Sequence, residues 1–170
     1  MDTMRLNNGQ GIPAQGFGVF LVENNGPCEA AVSKALTAGY RLIDTAAAYF
    51  NEADVGKAIR NSGIPREEIF VTSKLWMQDY GYRAAKKGID ASLQKLGLDY
   101  MDLYLLHQPY GDTAGAWRAM EEAVRAGKIK SIGVSNHTVK LLSNLIPNME
   151  NSPGSQSNGV QSLFSAERTA

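Results

Sequence analysis

At 170 residues, with 44% hydrophobic and 20% charged side chains, the chain has the composition of one globular domain with a real core, which excludes disorder as its default state. Lys plus Arg equals Asp plus Glu at 17 each, so no global field draws nucleic acid or an anionic membrane, and any phosphate-bearing partner has to be held locally. The single cysteine, Cys28, excludes an intramolecular disulfide framework, and with only His107 and His137 beside it a Cys/His zinc site is not credible.

The N-terminal MDTMRLNNGQ shows no charged segment followed by an apolar run. No stretch approaches the ~20 apolar residues of a membrane span, and a reducing cytoplasm is the expected location. MRL-NNGQ-GIP sets an Asn-Gly turn signal between two short extended pieces, a β-hairpin that would lid the bottom of a larger body. GFGVFLV reads as a short apolar strand, and PCEAAVSKALTAGY as a helix with Pro27 at its entrance and Gly39 just past its end. RLIDT is the next strand, followed by a helix over roughly Asn51 to Asn61. IFVTSK is a third strand and GYRAAKKGIDASLQKLG a third helix ending at Gly97. MDLYLLH is a fourth strand, and TAGAWRAMEEAVRAGK a fourth helix with Ala116, Trp117, Met120 and Val124 at helical spacing. IKSIGVSN is a fifth strand, and HTVKLLSNLI starts a fifth helix.

Leu42, Phe70, Leu103 and Ile132 recur about every 30 residues, the length of a strand, a helix and two short connections. Parallel strands buried on both faces explain why IFV and LYLL are continuously apolar. An open doubly wound sheet and a (β/α)8 barrel both accept this alternation. The dinucleotide-binding open sheet would want G-x-G-x-x-G opening a helix, and the chain has only GFG at Gly16 to Gly18. The expected fold is therefore α/β, a partial (β/α)8 TIM barrel of about five βα units after an N-terminal β-hairpin, since a full barrel takes ~250 residues.

Ligands collect at the carboxyl ends of such strands. Asp44 ends RLID, Tyr49 follows five residues later, Lys74 ends IFVTSK and His107 ends DLYLLH. Singly they read as a cap, a half-buried aromatic, a rim charge and a satisfied histidine. Together they bring a carboxylate, a phenol, an amine and an imidazole to one face. Ser73 and Ser135 have no paired His and Asp at suitable strand ends, and a glycosidase carboxylate pair is missing. A phenol is a weak acid, with a reference pKa of ~10. An ammonium from Lys74 beside Tyr49 would stabilise the phenolate, while Asp44 would hold the lysine charged and in place. Such a phenol can give a proton to a developing alkoxide, with His107 orienting the carbonyl oxygen. That chemistry asks for a hydride donor, and without a metal site or flavin motif a nicotinamide cofactor remains.

GYRLIDTAAAYFNEADVGKAI, VTSKLW, DYMDLYLLHQP and GKIKSIGVSN, in this order and spacing, resemble the aldo-keto reductases, particularly bacterial members close to the diketogluconate reductases. The resemblance runs from Met4 to about Leu145. It implies a (β/α)8 barrel in which NADPH, with NADH not excluded, reduces an aldehyde or ketone. It implies Tyr49 as general acid, Lys74 and Asp44 as the pair that tunes it, and His107 as the substrate-orienting residue. Ser135 and Asn136 match residues that bind the nicotinamide carboxamide. Val19 and Asp44 would lie beside the cofactor, and Phe20, Trp76 and His107 at the substrate mouth. Phe20 replaces a common tryptophan, Gln108 stands where some members carry a second one, and His137 occupies a place that is usually Phe.

Residues 1-146 thus form the family-like part, whereas 147-170 are rich in Ser, Asn, Gly and Pro and read as an irregular tail. The resemblance implies a sixth strand of Asn-Gln-Ile-Glu type and later a Lys and an Arg for the cofactor's 2′-phosphate, and neither is found. Codons allowed for Gly154 through Leu163, read one nucleotide later, can spell Ala-Val-Asn-Gln-Met-Glu-Phe-Asn-Pro, and the following codons can continue in the family pattern. A frame change near Leu145 to Met149 would turn a complete reductase into this chain. The fifth strand would then be an open edge, and inward-facing side chains would lose the opposing wall. The expected consequences are aggregation or self-association through the open barrel edge, and little turnover. A catalytically inactive barrel fragment is the alternative to a reductase.

Overall fold

A computed structural model describes residues 2–6, 8–138, 140 and 141 and the backbone of 160–162. Strands β1 (Thr3–Arg5) and β2 (Gly11–Pro13) pair antiparallel as the expected hairpin, with Thr3 opposite Pro13. Then follow β3 (Phe17–Gly18), α1 (Pro27–Thr37), β4 (Leu42–Asp44), α2 (Glu52–Asn61), β5 (Phe70–Leu75), α3 (Tyr82–Leu96), β6 (Met101–Leu106), α4 (Thr113–Arg125), β7 (Ile129–Val134) and β8 (Val160–Ser162). Strands β3 to β8 form one sheet in sequence order, each parallel to its neighbour. A doubly wound sheet reverses its strand order at a switch point, whereas this order advances steadily, as barrel strands do. Among the described residues β3 and β8 are its two edges and do not pair with each other.

Two expectations change. GFGVFLV yields only the two-residue β3, because the chain turns at Leu21, whose φ of 61° leaves the extended region. Within the stretch expected to be irregular, Val160–Ser162 runs as a strand beside β7, with Ile132 opposite Val160. The rest of that stretch and most of the expected fifth helix lie outside the described residues.

Side-chain alternation along the strands splits the core in two. Tyr104 and Leu106 of β6 point to the helix layer, where they pack with Ile43, Leu75, Ile89, Met101, Trp117 and Met120. Leu103 and Leu105 point to the barrel interior and cluster with Phe70, with Leu42, and with Leu6 and Ile12 beside the hairpin turn. The hairpin therefore fills the bottom of the barrel. Phe70, Leu103 and Leu105 are buried rather than bare, which removes much of the exposure expected of an unclosed wall.

Helix α3 buries Ala85, Ile89, Leu93 and Leu96 at helical spacing and ends at Gly97, whose φ of 62° closes the cap. Helix α2 approaches this end so closely that a Cβ on Gly56 would stand 1.8 Å from the Leu96 carbonyl oxygen. In a free helix Gly56→Ala would gain about 1 kcal/mol in propensity. Here the obstacle is backbone, so overpacking outweighs that gain. A net loss of about 2–3 kcal/mol and a Tm lower by roughly 5–10 °C are expected on thermal melting. An unchanged or higher Tm would show that the two helices are not in this contact.

Candidate active site

The carboxyl ends of β4, β5 and β6 place the polar groups. Asp44 closes β4, Lys74 is the penultimate residue of β5, and His107 follows β6, its N–H bonded to Leu75 O at 3.1 Å. Tyr49 ends a short 3-10 turn, Ala47–Tyr49, between β4 and α2. Lys74 is 7% exposed, and its three ammonium hydrogens have three acceptors. These are Asp44 Oδ1 at 2.6 Å, Thr45 O at 2.9 Å and Tyr49 Oη at 3.4 Å. The amine thus sits between the carboxylate and the phenol, the expected order.

The Tyr49 ring lies 5.6 Å from that of His107, at 75°, and 5.0 Å from that of Phe20. The Trp76 ring lies 5.1 Å from His107. Burial pushes the Asp44 carboxyl above the usual range, and the Lys74 cation opposes that rise. Burial first, and the Lys74 charge second, push His107 down to about 4, so the imidazole is neutral near pH 7. Its Nδ1 atom is buried with no hydrogen-bond partner among the described residues.

This depression makes a stability prediction. The unfolded imidazole binds a proton below about 6.5 and the folded one only below about 4, so the unfolded chain holds more protons in that window. The contribution is fully present above pH 6.5 and is lost as pH falls to 4. Urea melts at successive pH values should show this decline, and His107→Gln should flatten it. A dependence that His107→Gln leaves unchanged would mean that the imidazole is not held neutral by the fold.

Beyond β7, Ser135 N–H donates to Leu106 O at 2.8 Å. Asn136 adopts a left-handed φ of 60°, which Asn tolerates, and its Nδ2 donates to His107 O at 2.9 Å and to Ser135 Oγ at 3.2 Å. The structure thereby joins the expected Ser135–Asn136 pair to the His107 loop. His137 is buried, with Nδ1 2.8 Å from Ser135 O. Val19, expected beside the cofactor, is fully buried in the helix-side core. Its N–H donates to Asp44 O at 3.0 Å and its carbonyl accepts from Asn51 Nδ2 at 2.9 Å, so it supports Phe20 with no polar group to spare.

Two braces escaped sequence reasoning. Tyr80 Oη donates to Gln108 O at 2.8 Å and accepts from Gln108 N–H at 3.0 Å, and burial pushes its phenol up to about 12. Asn51 is the second, and the carbonyls of Val19 and Val22 that its amide holds lie 32 and 29 residues away, too far for local pattern to reveal them.

The residues beside His107 suit the amide end of a nicotinamide. The Ser135 hydroxyl and the Asn136 amide oxygen stand at a strand end, held by the Asn136 amide nitrogen that bonds the backbone of His107, whose Nδ1 is buried without a partner among the described residues. Chemically, the cluster can deliver a proton to an oxygen and hold that oxygen by hydrogen bonds.

Comparison with known proteins bears on this geometry. The family described as "Aldo/keto reductase family" matches residues 27–165. A glyoxal reductase of Bacillus subtilis is 47% identical over 156 residues, which cover 89% of this chain and 55% of that protein. An aldo/keto reductase from Brucella melitensis superposes with a TM-score of 0.85 at 48% identity, covering 89% of this chain and 60% of that one. An aldo-keto reductase of Bombyx mori, solved in complex with NADP, superposes with a TM-score of 0.78 at 36% identity, over 89% and 54%. The chain spans about half the length of the curated relatives it matches.

Proposed function

The chain belongs to the aldo/keto reductase family, and from that footing we propose that its strand-end cluster reduces a small aldehyde or ketone to an alcohol, with Tyr49 as the proton donor and NADPH as the cofactor. The observation that carries the proposal is Lys74 Nζ, 2.6 Å from Asp44 Oδ1 and 3.4 Å from Tyr49 Oη. Ser135, Asn136 and Asp44 would hold the nicotinamide end, with Val19 acting through the turn it supports. When bound, the nicotinamide supplies a hydride to the carbonyl carbon. Tyr49 gives its proton to the carbonyl oxygen as charge develops there, and the Lys74 ammonium stabilises the phenolate left behind. His107, neutral at working pH, orients that oxygen through an N–H, while Phe20 and Trp76 frame the mouth. The choice of NADPH is supported by the Bombyx mori relative, whose structure contains NADP.

One observation favours a second reading. A chain spanning about half of its relatives can be a catalytically inactive part of a barrel that associates through its open edge. NADPH fluorescence separates the two. Saturable quenching with aldehyde-dependent NADPH loss supports the reductase, whereas no quenching together with oligomers in light scattering supports the second reading.

We also propose that the original reading frame ends near residue 146, inside the family match that runs to residue 165, and that 147–170 follow from a frame change, which sequencing of the gene would test. A downstream frame without barrel sequence would refute it. Among the described residues no helix is long and apolar enough to cross a membrane. A cytoplasmic site of action is part of the proposal, resting on one buried free cysteine.

A further inference from the structure

Two residues, Phe50 and Asn51, separate the turn that carries Tyr49 from helix α2, and Asn51 occupies the N-cap position of that helix. An asparagine there ordinarily accepts a hydrogen bond from the first turn of its own helix. Asn51 makes no such bond, although it is only 1% exposed. Its side chain serves a different segment. Nδ2 donates to Val19 O at 2.9 Å and to Val22 O at 3.0 Å, and Oδ1 accepts from Thr45 Oγ1 at 2.8 Å. The Thr45 hydroxyl thereby sets which end of the amide faces the two carbonyls.

Those carbonyls flank a turn closed by Val22 N–H to Val19 O at 3.2 Å, in which Leu21 has a φ of 61°. A turn of this kind favours glycine at that place, and a branched side chain there needs outside support. Side-chain packing does not supply it, because Phe20 is 64% and Leu21 83% exposed. The buried amide beneath the turn does. The same turn carries Phe20 against Tyr49, and Phe50, between Tyr49 and Asn51, is itself left-handed at 58°. One side chain thus ties the left-handed Val19–Val22 turn to the residue that follows the left-handed Phe50.

We propose that Asn51 is a positioning residue that clamps the Val19–Val22 turn to the segment bearing Tyr49, so that these two walls of the site keep one register. The benefit to cofactor binding rests on the proposed reductase function, whereas the clamp itself does not. Amide hydrogen exchange on the full chain tests it. In Asn51→Ala the Val22 amide should exchange about tenfold faster or more, while amides of β5 and β6 change less than twofold. Asn51→Asp keeps the shape but turns acceptors toward two carbonyls, so its effect should equal or exceed that of Ala. Should that variant fail to fold, Thr45→Val serves instead, with a smaller rise at Val22. The KM for NADPH should rise about tenfold in Asn51→Ala, with the pH dependence of kcat unmoved. A Val22 amide that is unprotected in the parent chain or unchanged in Asn51→Ala, or a rise shared equally by β5 and β6, would overturn the clamp. Failure of the parent chain to bind NADPH would overturn the functional reading, and the exchange result would still decide the clamp.

Discussion

Tyr49→Phe is expected to lower kcat for carbonyl reduction by about 10²–10⁴-fold while leaving the Kd for NADPH within about twofold. The substitution removes one oxygen and keeps the ring, so the contacts to Phe20 and His107, at 5.0 and 5.6 Å between centroids, persist. Among the described residues it deletes the one hydroxyl bonded to Lys74 Nζ, whereas Asp44 and the Thr45 carbonyl act as acceptors. An effect on kcat without one on cofactor affinity is the signature of a contact made in the transition state alone. Stopped-flow turnover beside fluorescence titration gives both numbers. A variant that keeps a tenth or more of the parent rate would remove Tyr49 from the proton-donor role.

Lys74→Met is expected to cost both rate and stability. Among the described residues the ammonium is the one cation within bonding distance of Asp44 and Tyr49 together. Without it, burial alone acts on Asp44 and drives its carboxyl further above the usual range, because the opposing cation is gone. The phenolate formed on proton transfer also loses its stabilising charge, and a fall of about 10²–10³-fold in kcat follows. Breaking a fully buried ion pair costs about 3–5 kcal/mol, and the value here is lower, about 1–3 kcal/mol, because the Asp44 side chain is 36% exposed. Lys74→Arg should not restore the rate, since a planar fork cannot place one nitrogen toward three convergent oxygens. Urea melts and steady-state kinetics on the two variants check this, and a Lys74→Arg chain with parental kcat would contradict it.

The four polar groups of the site were readable because the repeat of about 30 residues fixes where strands end, and strand ends are where a barrel collects them. Asp44, Lys74 and His107 need only correct strand boundaries to meet, and Tyr49 needs only a short turn after Asp44. What escaped has a different physical basis. GFGVFLV has the apolarity of a strand, but the left-handed Leu21 ends the strand after Gly18, and no local propensity announces a leucine in that conformation. Asn51 looks like a helix cap, and only the fold brings it to Val19, 32 residues away. Val160–Ser162 has no strand pattern of its own and becomes a strand by pairing with β7, a contact of tertiary origin. The missing opposing wall predicts a bare inner face, whereas Leu6 and Ile12 of the hairpin reach into the barrel and cluster with Leu103 and Leu105.

The central claim, that this strand-end cluster performs carbonyl reduction, is tested most directly by supplying the purified chain with a small aldehyde and NADPH deuterated at the transferring carbon, then analysing the product by mass spectrometry. The prediction is an alcohol carrying one deuterium, formed over repeated turnovers. Unchanged aldehyde in the presence of bound cofactor would contradict the claim.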